Sequence, residues 1–183
     1  MTIYDLLKND HAKLQTTLDR LLAATEKQER EALITEVRDL LVPHSRAEEA
    51  VLYNSLRDMH EAGKLIRHSY QEHIKAESIL RGLQVTEAVM VKWQHGVELL
   101  KKDITHHIAE EEGKVFPAAR KALTQEDAVA LGKAFEELKP MIGAGLLSSQ
   151  IELMTNLMPQ QFRKSFADGL THHVGTGDVR QVS

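Results

Sequence analysis

Apolar residues recur at intervals of three and four along most of the chain, the spacing of one face of an α-helix. This period predicts four long amphipathic helices, at about residues 2–25, 29–57, 64–82 and 86–116. Thr86 is a typical N-cap residue for the fourth, and Pro43 should kink the second. Because the connections are short, we expect an all-α protein, an up-down-up-down four-helix bundle with additional C-terminal helices.

The chain beyond the fourth helix carries further helical signals. Thr124 predicts the start of a shorter helix that ends near Leu138, before Pro140, and a last amphipathic stretch covers about residues 146–167. The predicted division is a bundle at 1–120, a helical extension at 121–168 and a flexible polar tail at 169–183. The extension would pack on the bundle or on a partner, and its apolar face could also form a homodimer contact.

Ionisable residues interrupt the apolar stripes of all four bundle helices. Such groups are costly in a helical core unless they are paired or bind a metal. The inward-facing set comprises four histidines and three glutamates: His11, His44, Glu48, His73, Glu77, His107 and Glu111. These are too many ligands for one tetrahedral zinc ion and suit two octahedral ions bridged by carboxylates. We therefore predict two iron ions as the cofactor, in preference to manganese or zinc, because dioxygen chemistry uses such sites.

Glutamate follows histidine at a spacing of four more often than chance predicts. With 10 His and 18 Glu among 183 residues, about one such pair is expected, and the sequence contains five. On a helix this spacing places both side chains on one face. Three of the pairs belong to the inward-facing set. The other two, His68 with Glu72 and His106 with Glu110, lie off the apolar stripes and are interpreted as surface pairs.

The composition excludes several classes of protein. The absence of cysteine rules out thiolate zinc sites, iron–sulfur clusters and a cysteine nucleophile. A formal charge of -4 offers no basic surface for nucleic acid. The start MTIYDLLKNDH lacks the pattern of a signal peptide, and no apolar run is long enough to span a membrane. We expect a cytoplasmic protein with neither nucleic-acid nor membrane partners.

The order of the inward-facing residues resembles the hemerythrin-like family, also called HHE cation-binding domains. The resemblance covers about residues 1–120 and rests on the contexts NDHAKL, PHSRAEEAVLY, YQEHIKAE and HHIAEEEGKVFPAAR. It implies that Glu48 and Glu111 bridge two irons. By the same resemblance His11 and His44 would bind one iron, and His73 and His107 the other.

The sequence departs from the oxygen-carrying hemerythrins at two ligand positions. Glu77 stands where they have a further histidine, and Glu111 replaces a final bridging aspartate one residue further on. An added carboxylate should favour ferric iron and weaken reversible dioxygen binding. The expected function is binding or sensing of dioxygen, or of another small diatomic or peroxide ligand, at a carboxylate-bridged di-iron site. The alternatives are a di-iron enzyme acting on peroxide or nitric oxide, and an iron-handling protein.

Overall fold

The computed structural model describes residues 1–59, 62–85, 90–143 and 161. Within these residues the protein is helical and contains no strand, which confirms the predicted fold class. The elements are α1 Ile3–Ala23, α2 Lys27–Glu48, a π-helical segment Glu49–Tyr53, α3 Asn54–Leu56, α4 Ala62–Val85, α5 Met90–Glu110, a second π-helical segment Glu111–Val115, α6 Phe116–Ala122 and α7 Gln125–Gly143. None of the described helices is both long enough and apolar enough to cross a membrane.

Four rods form the bundle. The first is α1, the second runs from α2 through the π-helical segment to α3, the third is α4, and the fourth runs from α5 to α6. Around the bundle α1 packs against α2 and α5, and α4 packs against the same two helices. Short connections between long neighbouring rods give the alternating directions of an up-and-down bundle.

The apolar core is divided into two clusters along the bundle. One contains Leu7 and Phe116, and the other contains Leu14 and Val97. On α1 the residue between the two clusters is His11, which is buried. The same order of apolar cluster, ionisable residues and apolar cluster holds on the other three rods. A buried polar layer therefore crosses the middle of the bundle.

The fifth long helix, α7, begins where the sequence predicts and ends later. The backbone amide of Asp127 donates to Thr124 Oγ1 at 3.1 Å, and the amide of Thr124 donates to the Asp127 carboxylate at 3.2 Å, a reciprocal N-terminal cap. The predicted end near Leu138 is wrong, since the helix passes through Pro140 to Gly143. The last turn is held because Met141 and Ile142 pack against the apolar core.

Several sequence predictions lie outside the described residues. They are the N-cap at Thr86, the amphipathic stretch at 146–167 apart from Gln161, and the tail at 169–183. The domain boundaries and the homodimer contact stay predictions. Of the predicted extension, the structure describes α7, which packs against α1 and α2.

Replacing Gly132 of α7 with alanine should destabilise the protein. A Cβ there would lie 2.9 Å from the Met1 carbonyl oxygen and 3.0 Å from the Ile3 amide nitrogen, so backbone would have to move. We expect a loss of roughly 1–3 kcal/mol in the free energy of unfolding, measured by urea denaturation. The matched control is Gly82→Ala in α4, where the added Cβ has no heavy atom of the described residues within 4 Å beyond the helix's own backbone; a gain of roughly 0.5–1 kcal/mol is expected. Equal effects at the two positions would contradict this packing of α7.

Candidate metal centre

The buried layer brings six of the seven predicted ligands together. None of the six residues is more than 7% exposed, and both glutamates are fully buried. The distances from imidazole Nε2 to carboxylate Oε2 are 3.1 Å for His11 with Glu111, 3.8 Å for His107 with Glu111, 3.5 Å for His44 with Glu48, and 3.6 Å for His73 with Glu48. Four Nε2 atoms therefore converge on two carboxylates.

The four imidazoles form two pairs. The rings of His11 and His44 have centroids 5.1 Å apart, and those of His73 and His107 lie 4.6 Å apart, with their Nε2 atoms separated by 3.1 Å. Each glutamate contacts one histidine of each pair. A carboxylate in that position can reach two ions, one held by each pair of histidines.

The outward Nδ1 atom of every imidazole faces a further carboxylate. The partners are Glu112 for His11 at 2.9 Å, Asp10 for His44 at 3.4 Å, Glu49 for His73 at 2.9 Å, and Glu72 for His107 at 3.0 Å. A carboxylate at Nδ1 holds the ring as the tautomer whose Nε2 lone pair points inward, which is how metal-binding histidines are oriented.

Sequence reasoning missed these four outer carboxylates. Each adjoins an inward-facing residue in the chain but serves a histidine of the next rod around the bundle. Glu72, interpreted from the sequence as a surface partner of His68, also contacts His107, and the Glu112 carboxylate contacts His11. The only available signal was an acidic residue directly beside a predicted ligand.

Tyr53 is a further residue of the buried layer. Its hydroxyl donates to Glu111 Oε1 at 2.9 Å, and its ring stacks on His73 with centroids 5.5 Å apart. In a regular α-helix, a residue five positions after Glu48 points away from it. The π-helical turn Glu49–Tyr53 brings Tyr53 round to the face of Glu48, a change of period that no count at 3.6 residues detects.

Among the described residues, three of the four oxygens of Glu48 and Glu111 lack a hydrogen-bond donor. Both Glu48 oxygens, Glu111 Oε2 and His11 Nε2 are buried without a hydrogen-bond partner among the described residues. Burial and the adjacent Glu111 raise the pKa of Glu48 well above its usual value. Although burial opposes it, the adjacent Glu48 and His11 side chains hold the pKa of Glu111 well below its usual value. These opposite shifts favour a proton shared by the two carboxyl groups in the metal-free protein, in the place where a cation would satisfy both.

Two of the imidazoles are held in the neutral form that metals require. Burial lowers the pKa of His44 to about 4, against the opposing effect of Asp10. Burial also lowers the pKa of His73, against the opposing effect of Glu49. Neutral imidazole is the ligand form of histidine, so neither ring must first lose a proton at neutral pH.

The structure does not bring Glu77 into the group. Its carboxylate contacts Arg46 at 2.8 Å and Arg81 at 3.6 Å, and Arg46 also contacts Glu49 at 3.2 Å. The positive charge of Arg46 offsets the negative charge that the sequence argument placed beside the metals. The ligand role of Glu77 stays a prediction.

Helix α7 covers the site on the side of His44. The ring of Phe135 lies edge-on to His44, with centroids 6.2 Å apart, and Lys139 forms an ion pair with Asp10. Lys139 and His44 thus share the Asp10 carboxylate. This position gives α7 a role in fixing the orientation of a candidate ligand.

The Asp10→Asn variant should bind metal roughly tenfold more weakly than the wild type. The neutral amide would hold the His44 ring less firmly, and loss of such outer partners typically weakens metal binding by about 10–100-fold. Equilibrium dialysis against a competing chelator measures the change. Asp19→Asn is the control, since Asp19 lies on the same helix and pairs with Lys101 at the surface. An unchanged affinity in Asp10→Asn would contradict the assigned role.

A small cavity adjoins the imidazoles. It measures about 10 Å³, which is room for one water-sized molecule, and it is lined by all four histidines. The rest of its wall is mostly apolar and includes Leu14, Leu41 and Ile104.

Comparison with known proteins agrees with this geometry. A "DNA nickase" of Nostoc sp. (strain PCC 7120 / SAG 25.82 / UTEX 2576) is 24% identical over 142 residues, which cover 78% of this chain and 40% of that protein. The chain thus spans less than half the length of this curated relative. No solved structure matches the chain. The family model described as the hemerythrin HHE cation binding domain matches residues 2–119. The chain, whose buried His and Glu side chains can hold a metal, therefore belongs to the hemerythrin HHE cation-binding domain family.

Proposed function

We propose that this protein holds two iron ions and binds or senses dioxygen, or a related small diatomic or peroxide ligand. One observation carries the proposal: each buried glutamate lies between one histidine of each imidazole pair. His11 and His44 would hold one ion, and His73 and His107 the other. Glu48 and Glu111 would bridge the two.

The donor set supports iron over other ions. It offers imidazole nitrogens and carboxylate oxygens without sulfur, a combination typical of non-haem iron and also compatible with manganese. Bound iron would supply a change of oxidation state and a coordination position for a small ligand. The chain's own residues orient the imidazoles, and Tyr53 fixes Glu111 through its hydroxyl.

The cavity supports a very small ligand. A volume of about 10 Å³ has room for about one water-sized molecule, which favours a very small ligand and excludes an ordinary metabolite. Its leucine and isoleucine walls exclude bulk water, which protects a weakly polar ligand from competition.

The structure weakens the case for the enzyme alternative. The alternative of peroxide or nitric oxide turnover rests on the negative charge that Glu77 would add beside the metals. The Arg46 guanidinium lies 2.8 Å from the Glu77 carboxylate and offsets that charge. We also extend no nicking activity to this chain, because it covers 40% of the nickase and carries a formal charge of -4.

Exposure of the reduced protein to small ligands tests the proposal. Anaerobically reduced, iron-containing protein is mixed with dioxygen, and the oxidised protein with azide, while charge-transfer absorption is recorded. We expect spectral changes that saturate at one ligand per pair of irons. His107→Ala should abolish them and His95→Ala, an exposed position, should not. A spectrum that no small ligand alters would contradict the proposal, and sustained consumption of peroxide or nitric oxide would favour the enzyme instead.

A further inference from the structure

A second group of histidines and glutamates lies on the outside of the bundle. His68 and Glu72 are one turn apart on α4, and His106 and Glu110 are one turn apart on α5. The side chains of His68 and His106 are 54% and 62% exposed, whereas that of Glu72 is 13% exposed. We call these four residues the surface cluster.

The ligand atoms of the surface cluster have metal-site spacing. One atom from each residue lies within 4.8 Å of the other three. His68 Nε2 is 3.5 Å from Glu72 Oε1 and 3.4 Å from Glu110 Oε2, and His106 Nε2 is 3.8 Å from Glu72 Oε1. In a tetrahedral zinc site with bonds of about 2.0–2.2 Å, neighbouring ligand atoms lie roughly 3.3–3.6 Å apart. Small side-chain movements would complete that geometry.

The chemistry of the surface cluster is that of a cation site. It pairs two imidazoles with two carboxylates, a four-ligand set without sulfur that suits a first-row divalent ion such as zinc. Lys114 forms an ion pair with Glu110 Oε1, which leaves Glu110 Oε2 facing His68. That ion pair is exposed and therefore contributes little to stability.

Glu72 joins the surface cluster to the buried centre. Its Oε1 faces His68 and His106, and its Oε2 accepts from His107 Nδ1 at 3.0 Å. Glu72 and Asp103 also line both the buried cavity and the surface pocket next to the cluster. The Glu72 carboxylate thus lies between the exposed histidines of the surface cluster and the buried His107.

We propose that His68, Glu72, His106 and Glu110 form a second, solvent-accessible site for a divalent cation of the zinc type. A cation there would bind Glu72 through Oε1 and leave Oε2 on His107. The surface site would therefore stand at the boundary of the buried centre and share one residue with it. It does not depend on which metal the buried centre holds.

Zinc titration of the full chain tests the proposal. Wild-type, His68→Ala and His95→Ala proteins are purified under conditions that fill the buried centre and titrated with zinc by calorimetry. Iron is measured before and after. His95 is the matched control, since it is an exposed α5 histidine with Glu98 one turn away at 3.8 Å. We expect one added zinc per chain in wild type and His95→Ala, and at least roughly tenfold weaker binding in His68→Ala.

Three results would overturn the proposal: no added zinc in the wild type, equal zinc binding in wild type and His68→Ala, or zinc uptake matched by iron release. The same experiment distinguishes this proposal from the proposed function. If the buried centre is empty as purified, zinc should enter it in all three proteins. The surface site would then appear as one equivalent of zinc that the wild type and His95→Ala bind and His68→Ala does not. His106→Ala provides a second variant, for which we expect the same loss.

Discussion

The Glu48→Gln variant should lose nearly all bound metal. In the absence of metal it should be at least as stable as the metal-free wild type. Both Glu48 oxygens are buried and have no hydrogen-bond donor within the described part of the chain, and burial together with Glu111 raises the pKa of the carboxyl group. A glutamine amide can donate to Glu111 as the protonated carboxyl does. It supplies no anion to bridge two cations, so metal binding should fall by far more than the loss of an outer partner would cause.

The stability difference between the two metal-free proteins should grow with pH. The pKa of Glu48 is raised in the folded state above its unfolded value, which lies near 4.5. The folded protein therefore loses stability as the pH rises from the unfolded pKa towards the folded pKa. The variant lacks that cost. Urea denaturation of both proteins at pH 5 and pH 8, with chelator present, measures this stability difference. Glu36→Gln, on the same helix, is the control. A Glu48→Gln protein that retains its metal, or that unfolds without metal when the wild type does not, would contradict this role of Glu48.

Removing the metal should lower the stability of the wild-type protein by several kcal/mol. A cation bound only to the folded state stabilises it by about 4.1 kcal/mol when its concentration is roughly 1,000 times the dissociation constant. The effect should be large because two carboxylates and four imidazoles otherwise face each other in a water-excluded layer. Binding should also release protons, because the raised pKa of Glu48 favours a protonated carboxyl group in the metal-free protein and a cation binds the carboxylate.

Two measurements check this effect. Denaturation with and without chelator gives the stability difference, and calorimetric titration in buffers of different ionisation enthalpy gives the proton release. Glu48→Gln should show neither effect. Equal stability of the loaded and metal-free wild type would contradict a metal site in the buried layer.

Periodicity predicts the fold well because most stripe positions are simply apolar. The same stripes identify His11, His44, His73 and His107, since an ionisable residue at a core position stands out against leucine and valine. A histidine on a stripe must face inward whatever its partner is. The rods and the inward-facing histidines therefore follow from the sequence alone.

The remaining features depend on contacts between rods or on a change of period. Glu77 lies on its stripe but meets Arg46 of α2, which no pattern within α4 reveals. Tyr53 reaches Glu111 only because the turn before it is π-helical. Glu72 adjoins His73 in the chain yet serves His107 on another helix. Each of these needed the three-dimensional arrangement.

The extension beyond the bundle shows the same limit. Thr124 and Asp127 mark the start of α7 through a local cap, which sequence reasoning detects. Its end depends on Met141 and Ile142 packing against distant residues, and its ion pair from Lys139 to Asp10 spans most of the chain. Neither feature has a local signal.

Metal analysis of the protein purified from iron-replete cells tests the central claim most directly. Iron, manganese and zinc are measured per chain, and the absorption spectrum is recorded before and after exposure to air. A carboxylate-bridged pair predicts two irons per chain and charge-transfer absorption that appears on oxidation. A colourless protein without iron, or one whose metal content is unchanged in Glu48→Gln, would contradict it.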